Sequence, residues 1–208
     1  MNIKDIIFER WENYRMKVVL VNGSRREKGC TYTALSEIAK VLNEKGIETE
    51  IFFVGQRAVN GEIDAAVKEV AEAVKTADGF VVGSPVYYAS PSGEVLAFLD
   101  RLFGVAGADL KYKPGAAVVS ARRGGTTASL DVLNKYFQIN QMPIASSNYW
   151  NMVHGNTPEE VYQDEEGIQI VQTLGKNLAW ILKSIEAGKK AGVEQPVDEP
   201  KKRTNFIR

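Results

Sequence analysis

An α/β fold, with a parallel sheet of five strands and helices packed on both faces, is predicted by three observations. Short apolar runs rich in Val, Ile and Ala alternate five times with stretches of helical periodicity. The runs are continuous rather than alternating, as strands covered on both faces are. The 208 residues, 44% of them apolar, suffice to bury one substantial core. Strands joined through helices in this way are parallel with right-handed crossovers.

The first strand is residues 17–22, KVVLVN, stopped by Gly23. A helix over residues 32–45 follows, because Leu35, Ile38, Ala39 and Leu42 form one apolar face and Gly46 ends it. Residues 48–54 form the second strand. Residues 63–78 carry Ile63, Val67, Val70, Ala71 and Val74 at helical spacing after Gly61. The third strand is residues 79–84, ended by Pro85, and a helix over 93–103 comes next. Residues 115–120, GAAVVS, are the fourth strand, followed by a helix over 126–141. A fifth strand is expected at 144–147 and a long helix at 165–189. These elements make a domain of residues 16–190, flanked by an N-terminal arm, 1–15, and a C-terminal tail, 191–208. Trp11 and Phe206 in these arms either fray in water or wrap a partner subunit.

Composition excludes several function classes. Twenty-six basic residues balance 26 acidic ones, so the footprint of a nucleic-acid binder is missing. The same balance argues against a strongly acidic carrier that docks on basic partners. One cysteine, Cys30, and one histidine, His154, exclude cysteine-rich and multi-histidine metal sites, so no metal is expected. No apolar run approaches the roughly 20 residues that span a bilayer. The charged N-terminus does not read as a signal peptide. A cytoplasmic protein is the expectation.

In an open parallel sheet, ligands bind beyond the carboxyl ends of the strands. Three loops there carry chemistry. The first, residues 23–33, lacks both G-x-G-x-x-G and the P-loop pattern, but brings hydroxyls and arginines to a helix N-terminus. Unpaired N–H groups and the helix dipole favour a phosphate there, with Ser24, Thr31 and Thr33 donating and Arg25 or Arg26 neutralising charge. The bland alternative is a Thr31 N-cap with solvated arginines. The second loop, residues 84–93, sets Tyr87 and Tyr88 between Pro85 and Pro91. This makes an aromatic wall for a flat heteroaromatic ring, or packing under a loop. The third, residues 120–126, is Ser-Ala-Arg-Arg-Gly-Gly-Thr. It either closes over a ring, holds a second anion, or is a solvated turn.

Together, GSRREKGCT at 23–31, GSPVYYASPSGEVLAFLDRL at 83–102 and SARRGGTTASL at 120–130 resemble the flavodoxin-like NADPH-dependent FMN reductases, including their iron–sulfur flavoprotein branch. The resemblance spans roughly residues 16–190, with Arg25 where a proline is common. It implies strand order 2-1-3-4-5 and an FMN phosphate on Ser24, Arg26, Thr31 and neighbouring amides, with Thr33. It implies that Pro85, Val86, Tyr87 and Tyr88 line the isoalloxazine while Ala121, Arg122 and Gly124 face its other edge. Cys30 is expected to offer its amide, or else a thiol of lowered pKa. A homodimer or homotetramer is also implied. The iron–sulfur relatives carry a cysteine cluster after the second strand, whereas residues 55–61, GQRAVNG, have none. A cluster is therefore not expected, and the flavin face is left more open.

The resemblance implies hydride transfer from NADPH or NADH through FMN to a flavin, quinone, azo or nitro compound, or chromate. Flavin supplies that chemistry without a catalytic acid–base pair. The alternative is a flavodoxin-type electron carrier reduced by a partner. A receiver-type signalling module is set aside, since the first strand ends in Val21-Asn22-Gly23-Ser24 without clustered acids. His154 either approaches a neighbouring subunit's flavin or is a satisfied loop residue. Asp100 and Arg101 form a subunit contact or a solvated helix end.

Overall fold

The computed structural model describes residues 15–200 and 202–205, so Trp11, Phe206 and most of the N-terminal arm lie outside the described residues. In chain order the elements are β1 (Lys17–Asn22), α1 (Cys30–Glu44), β2 (Glu48–Phe53), α2 (Gly55–Val59), α3 (Ile63–Thr76), β3 (Gly79–Tyr87), β4 (Ser90–Pro91), α4 (Gly93–Leu110), β5 (Gly115–Ala121), α5 (Thr126–Ile139), β6 (Met152–His154), α6 (Pro158–Gln163) and α7 (Glu165–Lys190). The sheet order is β2-β1-β3-β5-β6, parallel throughout, and β4 pairs antiparallel to β3. This is the expected 2-1-3-4-5 order with one short hairpin strand added.

Strand alternation divides the core into two layers. Val19 and Val21 of β1 join Phe80 and Val82 of β3 beneath α3, α4 and α5. Val18, Leu20 and Val81 face the opposite way, beneath α1 and α7. In the first layer Phe80 packs edge-on against Phe103 and Phe137, with centroids at 6.2 and 6.3 Å.

The fifth strand is not where the apolar run at 144–147 placed it. Ile144 forms only an isolated bridge with Gly115, and Ala145 N–H donates to the Gly115 carbonyl at 2.8 Å. The Pro143 carbonyl accepts from Gly115 N–H at 2.8 Å, and beyond Ala145 the segment 146–150 leaves the edge. The side-chain amide of Asn151 then donates to the Ala117 carbonyl at 3.0 Å, and β6 pairs Met152–His154 with Val119–Ala121. The edge of β5 is thus covered in pieces, and the last piece is the one that ends at the ligand-binding side.

α4 runs to Leu110 rather than 103, because Ala106 and Leu110 are buried and outweigh the poor helix propensity of Gly104 and Gly107. On its outer face Arg101 pairs with Asp64 at 3.4 Å, and Asp100 accepts from the Tyr136 hydroxyl at 2.5 Å. Both residues named as a possible subunit contact therefore have partners within the chain. The described part of the tail turns back along the other end of the sheet, where Lys111 pairs with Asp198.

Ser92 ties α4 to the ligand-binding side. Its hydroxyl caps the helix by accepting from Val95 N–H at 3.2 Å and donates to the Gly23 carbonyl at 3.0 Å, while its own N–H donates to Ser84 Oγ at 3.0 Å. Ser92 is fully buried. Ser92→Ala removes a cap and strands a buried carbonyl, so about 2 kcal/mol of stability is expected to be lost. A lowered urea midpoint with unchanged slope checks this.

Candidate functional site

The first loop is shaped by its own polar groups. Ser24 N–H donates to Asn22 Oδ1 at 3.1 Å, Asn22 Nδ2 donates to the Glu27 carbonyl at 2.8 Å, and Arg26 N–H donates to Ser24 Oγ at 3.0 Å. Ser24 Oγ accepts in that bond, so its hydroxyl hydrogen is left to donate. The loop is moored to the sheet by Gly23 N–H to the Gly83 carbonyl at 2.9 Å.

α1 starts from Gly29, which supplies no side-chain cap. Thr31 is therefore not the N-cap, and the first amides of α1 remain available to an anion. Thr31 is buried, with Oγ1 2.8 Å from Ser120 Oγ on β5. That hydroxyl pair joins the first loop to the third.

A cleft of about 190 Å³ opens at this point, lined by Ser24, Arg26, Cys30, Thr31, Pro85, Val86, Tyr87, Ser120, Ala121, Arg122, Gly155 and Asn156. Among the described residues, no carboxylate lines it. Residues from four strand ends converge, as the crevice rule for open α/β sheets requires. The donors suit a phosphate dianion: two hydroxyls, a guanidinium and helix-start amides. Tyr87 supplies an aromatic side.

The two arginines of the first loop divide their work. Arg26 lines the cleft. Arg25 is turned to Glu94 at 3.5 Å and lies over the Tyr87 ring, 5.6 Å from its centroid. It braces the aromatic wall rather than the anion.

Nine of the twelve predicted site residues meet at this cleft, and three do not line it. Thr33 is buried at the close of the first turn of α1, with its hydroxyl donating back to the Gly29 carbonyl at 3.3 Å. Gly124 is exposed, with open space where a side chain would project. Tyr88 stands fully in solvent at the tip of the β3–β4 hairpin.

Cys30 touches the Gly155 carbonyl through Sγ at 3.5 Å. Burial pushes its thiol pKa up, and Glu160 and Glu159 add to this against its own backbone N–H and Arg26. The alternative of a lowered pKa is thereby corrected: desolvation outweighs the helix start, and the thiol stays protonated at neutral pH. His154 is held by Asp164, whose Oδ2 accepts its backbone N–H at 2.7 Å and lies 3.6 Å from Nδ1. It is outside the cleft lining of its own chain.

Sequence reasoning gave no role to Ser120, Gly155 or Asn156. Ser120 ends the fourth apolar run as Ser84 ends the third, which is a usable signal. Gly155 and Asn156 follow β6, so misplacing the fifth strand at 144–147 hid the strand end that delivers them.

The same architecture occurs in solved proteins. A flavodoxin from the domain Archaea superposes with a TM-score of 0.60 at 17% identity, covering 81% of this chain and 99% of that one. A WrbA-like flavodoxin from Agrobacterium tumefaciens gives 0.63 at 15%, covering 82% and 99%. Sequence relatives are nearer. An iron–sulfur flavoprotein of Methanocaldococcus jannaschii is 29% identical over 192 residues, 82% of this chain and 100% of the relative. One from Methanosarcina thermophila is 27% identical over 189 residues, 82% and 97%. Residues 55–59, within the segment where the resemblance puts a cysteine cluster, fold here as the short helix α2, without cysteine. Matched over residues 16–157, the chain belongs to the NADPH-dependent FMN reductase family, flavodoxin-like flavoproteins whose chemistry is FMN-dependent oxidoreduction.

Proposed function

We propose that the cleft holds FMN and that the protein oxidises NADPH or NADH and passes the hydride to a small acceptor such as a flavin or quinone. The observation that carries this reading is the uncapped start of α1, with Ser24, Arg26 and Thr31 converging on it and, among the described residues, no carboxylate in the cleft lining. In this reading the FMN phosphate sits on Ser24, Arg26, Thr31 and the amides near Cys30. Pro85, Val86, Tyr87, Ala121 and Arg122 line the ring, joined by Ser120, Gly155 and Asn156. Thr33 then acts indirectly, by fixing the Gly29 carbonyl at the helix start. Gly124 belongs to the third loop without lining the cleft.

When bound, FMN supplies the hydride chemistry. The chain's residues hold and orient it. The Thr31–Ser120 pair keeps the phosphate loop and the ring loop in register, and Arg25 stiffens Tyr87. Backbone amides at the ring's edge favour negative charge there. The cytoplasm, where reduced nicotinamides are made, is the compartment this activity fits, and a homodimer or homotetramer is the assembly proposed with it.

An anaerobic visible spectrum tests the reading. Protein loaded with FMN should show a bound-flavin spectrum that bleaches when NADPH is added. Bound flavin that stays oxidised under NADPH and NADH would replace the reductase with a carrier reduced by a partner. Failure to bind added FMN would remove both.

A further inference from the structure

We infer that Arg122, Arg123 and the start of α5 form a second anion subsite at the cleft, for a phosphate monoester carried by a second ligand that binds beside FMN. This deepens the proposed function and rests on it.

The arginines are sorted by place. Seven lie between residues 15 and 200. Arg15, Arg25, Arg57 and Arg101 each pair with a carboxylate. Arg26, Arg122 and Arg123 pair with none among the described residues, and all three belong to the first and third loops. Arg26 and Arg122 line the cleft, and exposed Arg123 is next in the chain. The chain holds 26 acidic and 26 basic residues, so carboxylates are not scarce elsewhere. Guanidiniums left unpaired around one cleft set up a local positive field that draws an anion.

The long helices are sorted in the same way. α3, α4 and α7 each carry an acid in the first turn, and Ser92 and Asp164 cap the last two. α1 and α5 start from Gly29 and Gly125 with neither a side-chain cap nor an acid in the first turn. The start of α5 stands beside the cleft wall, because a Cβ on Gly125 would fall 3.0 Å from Cγ1 of Val86, a lining residue. It would also fall 2.7 Å from Ala89 Cα, and Gly125 has φ 101°, so this position is closed to other residues and fixes the third loop against the hairpin. Thr126, the first residue of α5, is only 7% exposed, and its hydroxyl bonds to no described residue. Guanidinium, hydroxyl and free helix-start amides are the donor set that also occurs at α1. FMN has one phosphate, and in the proposed function α1 takes it. The second set is left for a different molecule. Two ligands of the proposed reaction carry a phosphate monoester: NADPH at its 2′ position, and free FMN, as an acceptor, at its 5′ position.

Calorimetric titration of the FMN-loaded full chain separates these sources. One pair of ligands is 2′,5′-ADP and 5′-AMP; the other is free FMN and riboflavin. Each pair differs by one phosphate. The parent chain should bind the more phosphorylated member of one pair about tenfold more tightly. A preference for 2′,5′-ADP assigns the subsite to the nicotinamide nucleotide, and a preference for FMN assigns it to a flavin acceptor. Arg123→Gln and Arg122→Gln should each reduce that preference to about twofold, and Arg123→Lys, which keeps the charge, should retain most of it. Arg123 has no partner within the described chain to lose, so the Tm of Arg123→Gln should match that of the parent. Preferences below twofold in both pairs would overturn the inference. So would a preference that both glutamine variants leave unmoved. The titrations require no turnover, so a protein that binds FMN but fails to oxidise nicotinamide sinks the reductase while they still decide on the subsite.

Discussion

Gly55→Ala should produce a protein that unfolds several degrees early and retains FMN poorly. A Cβ on Gly55 would lie 2.2 Å from the Ser24 carbonyl oxygen, 2.3 Å from its carbon and 2.6 Å from the Gly23 oxygen. Those atoms are backbone, so no rotamer change relieves the contact. Nor can the loop retreat freely, because Gly23 is bonded through its N–H to Gly83 and through its carbonyl to Ser92. Overpacking of this kind costs about 2–3 kcal/mol, and a chain of this size then loses about 4–10 °C in Tm. The displaced atoms belong to the loop proposed to hold the phosphate, so cofactor affinity should fall with stability. Gly124→Ala is the control: it meets open space and should stay within about 0.5 kcal/mol of the parent. Calorimetry and flavin-fluorescence titration of both variants check the pair. A Gly55→Ala protein with unchanged Tm would mean that the first loop is far looser than its hydrogen bonds imply.

Arg26→Ala is expected to weaken FMN binding about thirtyfold, the worth of one charge-assisted contact of about 2 kcal/mol. Arg25→Ala should do far less, since that guanidinium is spent on Glu94 and Tyr87. Thr31→Val keeps the buried volume but removes the hydroxyl shared with Ser120, and should weaken binding about tenfold. Titration of apoprotein with FMN, followed by quenching of flavin fluorescence, separates the three. Equal affinities in Arg26→Ala and the parent chain would place the phosphate elsewhere. An Arg25→Ala loss as large as that of Arg26→Ala would reverse the division of roles between them.

Much of the site was legible because its residues cluster in three short loops. A strand run, a stop and a polar loop with hydroxyls and arginines mark a ligand side from pattern alone, and residues adjacent in sequence there are adjacent in space. That pattern marks Ser24, Thr31 and either Arg25 or Arg26, while the family resemblance singles out Arg26, Tyr87 and Arg122. What was missed depends on contacts between distant segments. Ser120 gains its role only when β5 is set against α1. Gly55 matters only because α2 begins against the backbone of Ser24. The reactive-thiol alternative for Cys30 failed because burial among α1, Gly155 and the acids of α6 is not visible in the local sequence.

The sequence by itself determined the architecture: continuous apolar runs demand strands covered on both faces, and alternation with amphipathic helices leaves a parallel doubly wound sheet as the way to bury them. It also determined the ligand side, since parallel strands point all their carboxyl ends one way. Tertiary structure decided the rest. It chose residues 152–154 over 144–147 as the fifth strand, because pairing at 144–147 is confined to one bridge at Gly115, while Asn151 bridges to Ala117 and Met152–His154 pair with Val119–Ala121. It turned Arg25 away from the cleft and Arg26 into it. It separated two neighbouring tyrosines, since a two-residue turn reverses the chain at Tyr88 and leaves one ring on the cleft wall and the other in solvent. Such choices rest on pairing and packing between segments far apart in the chain, and local periodicity carries no record of them.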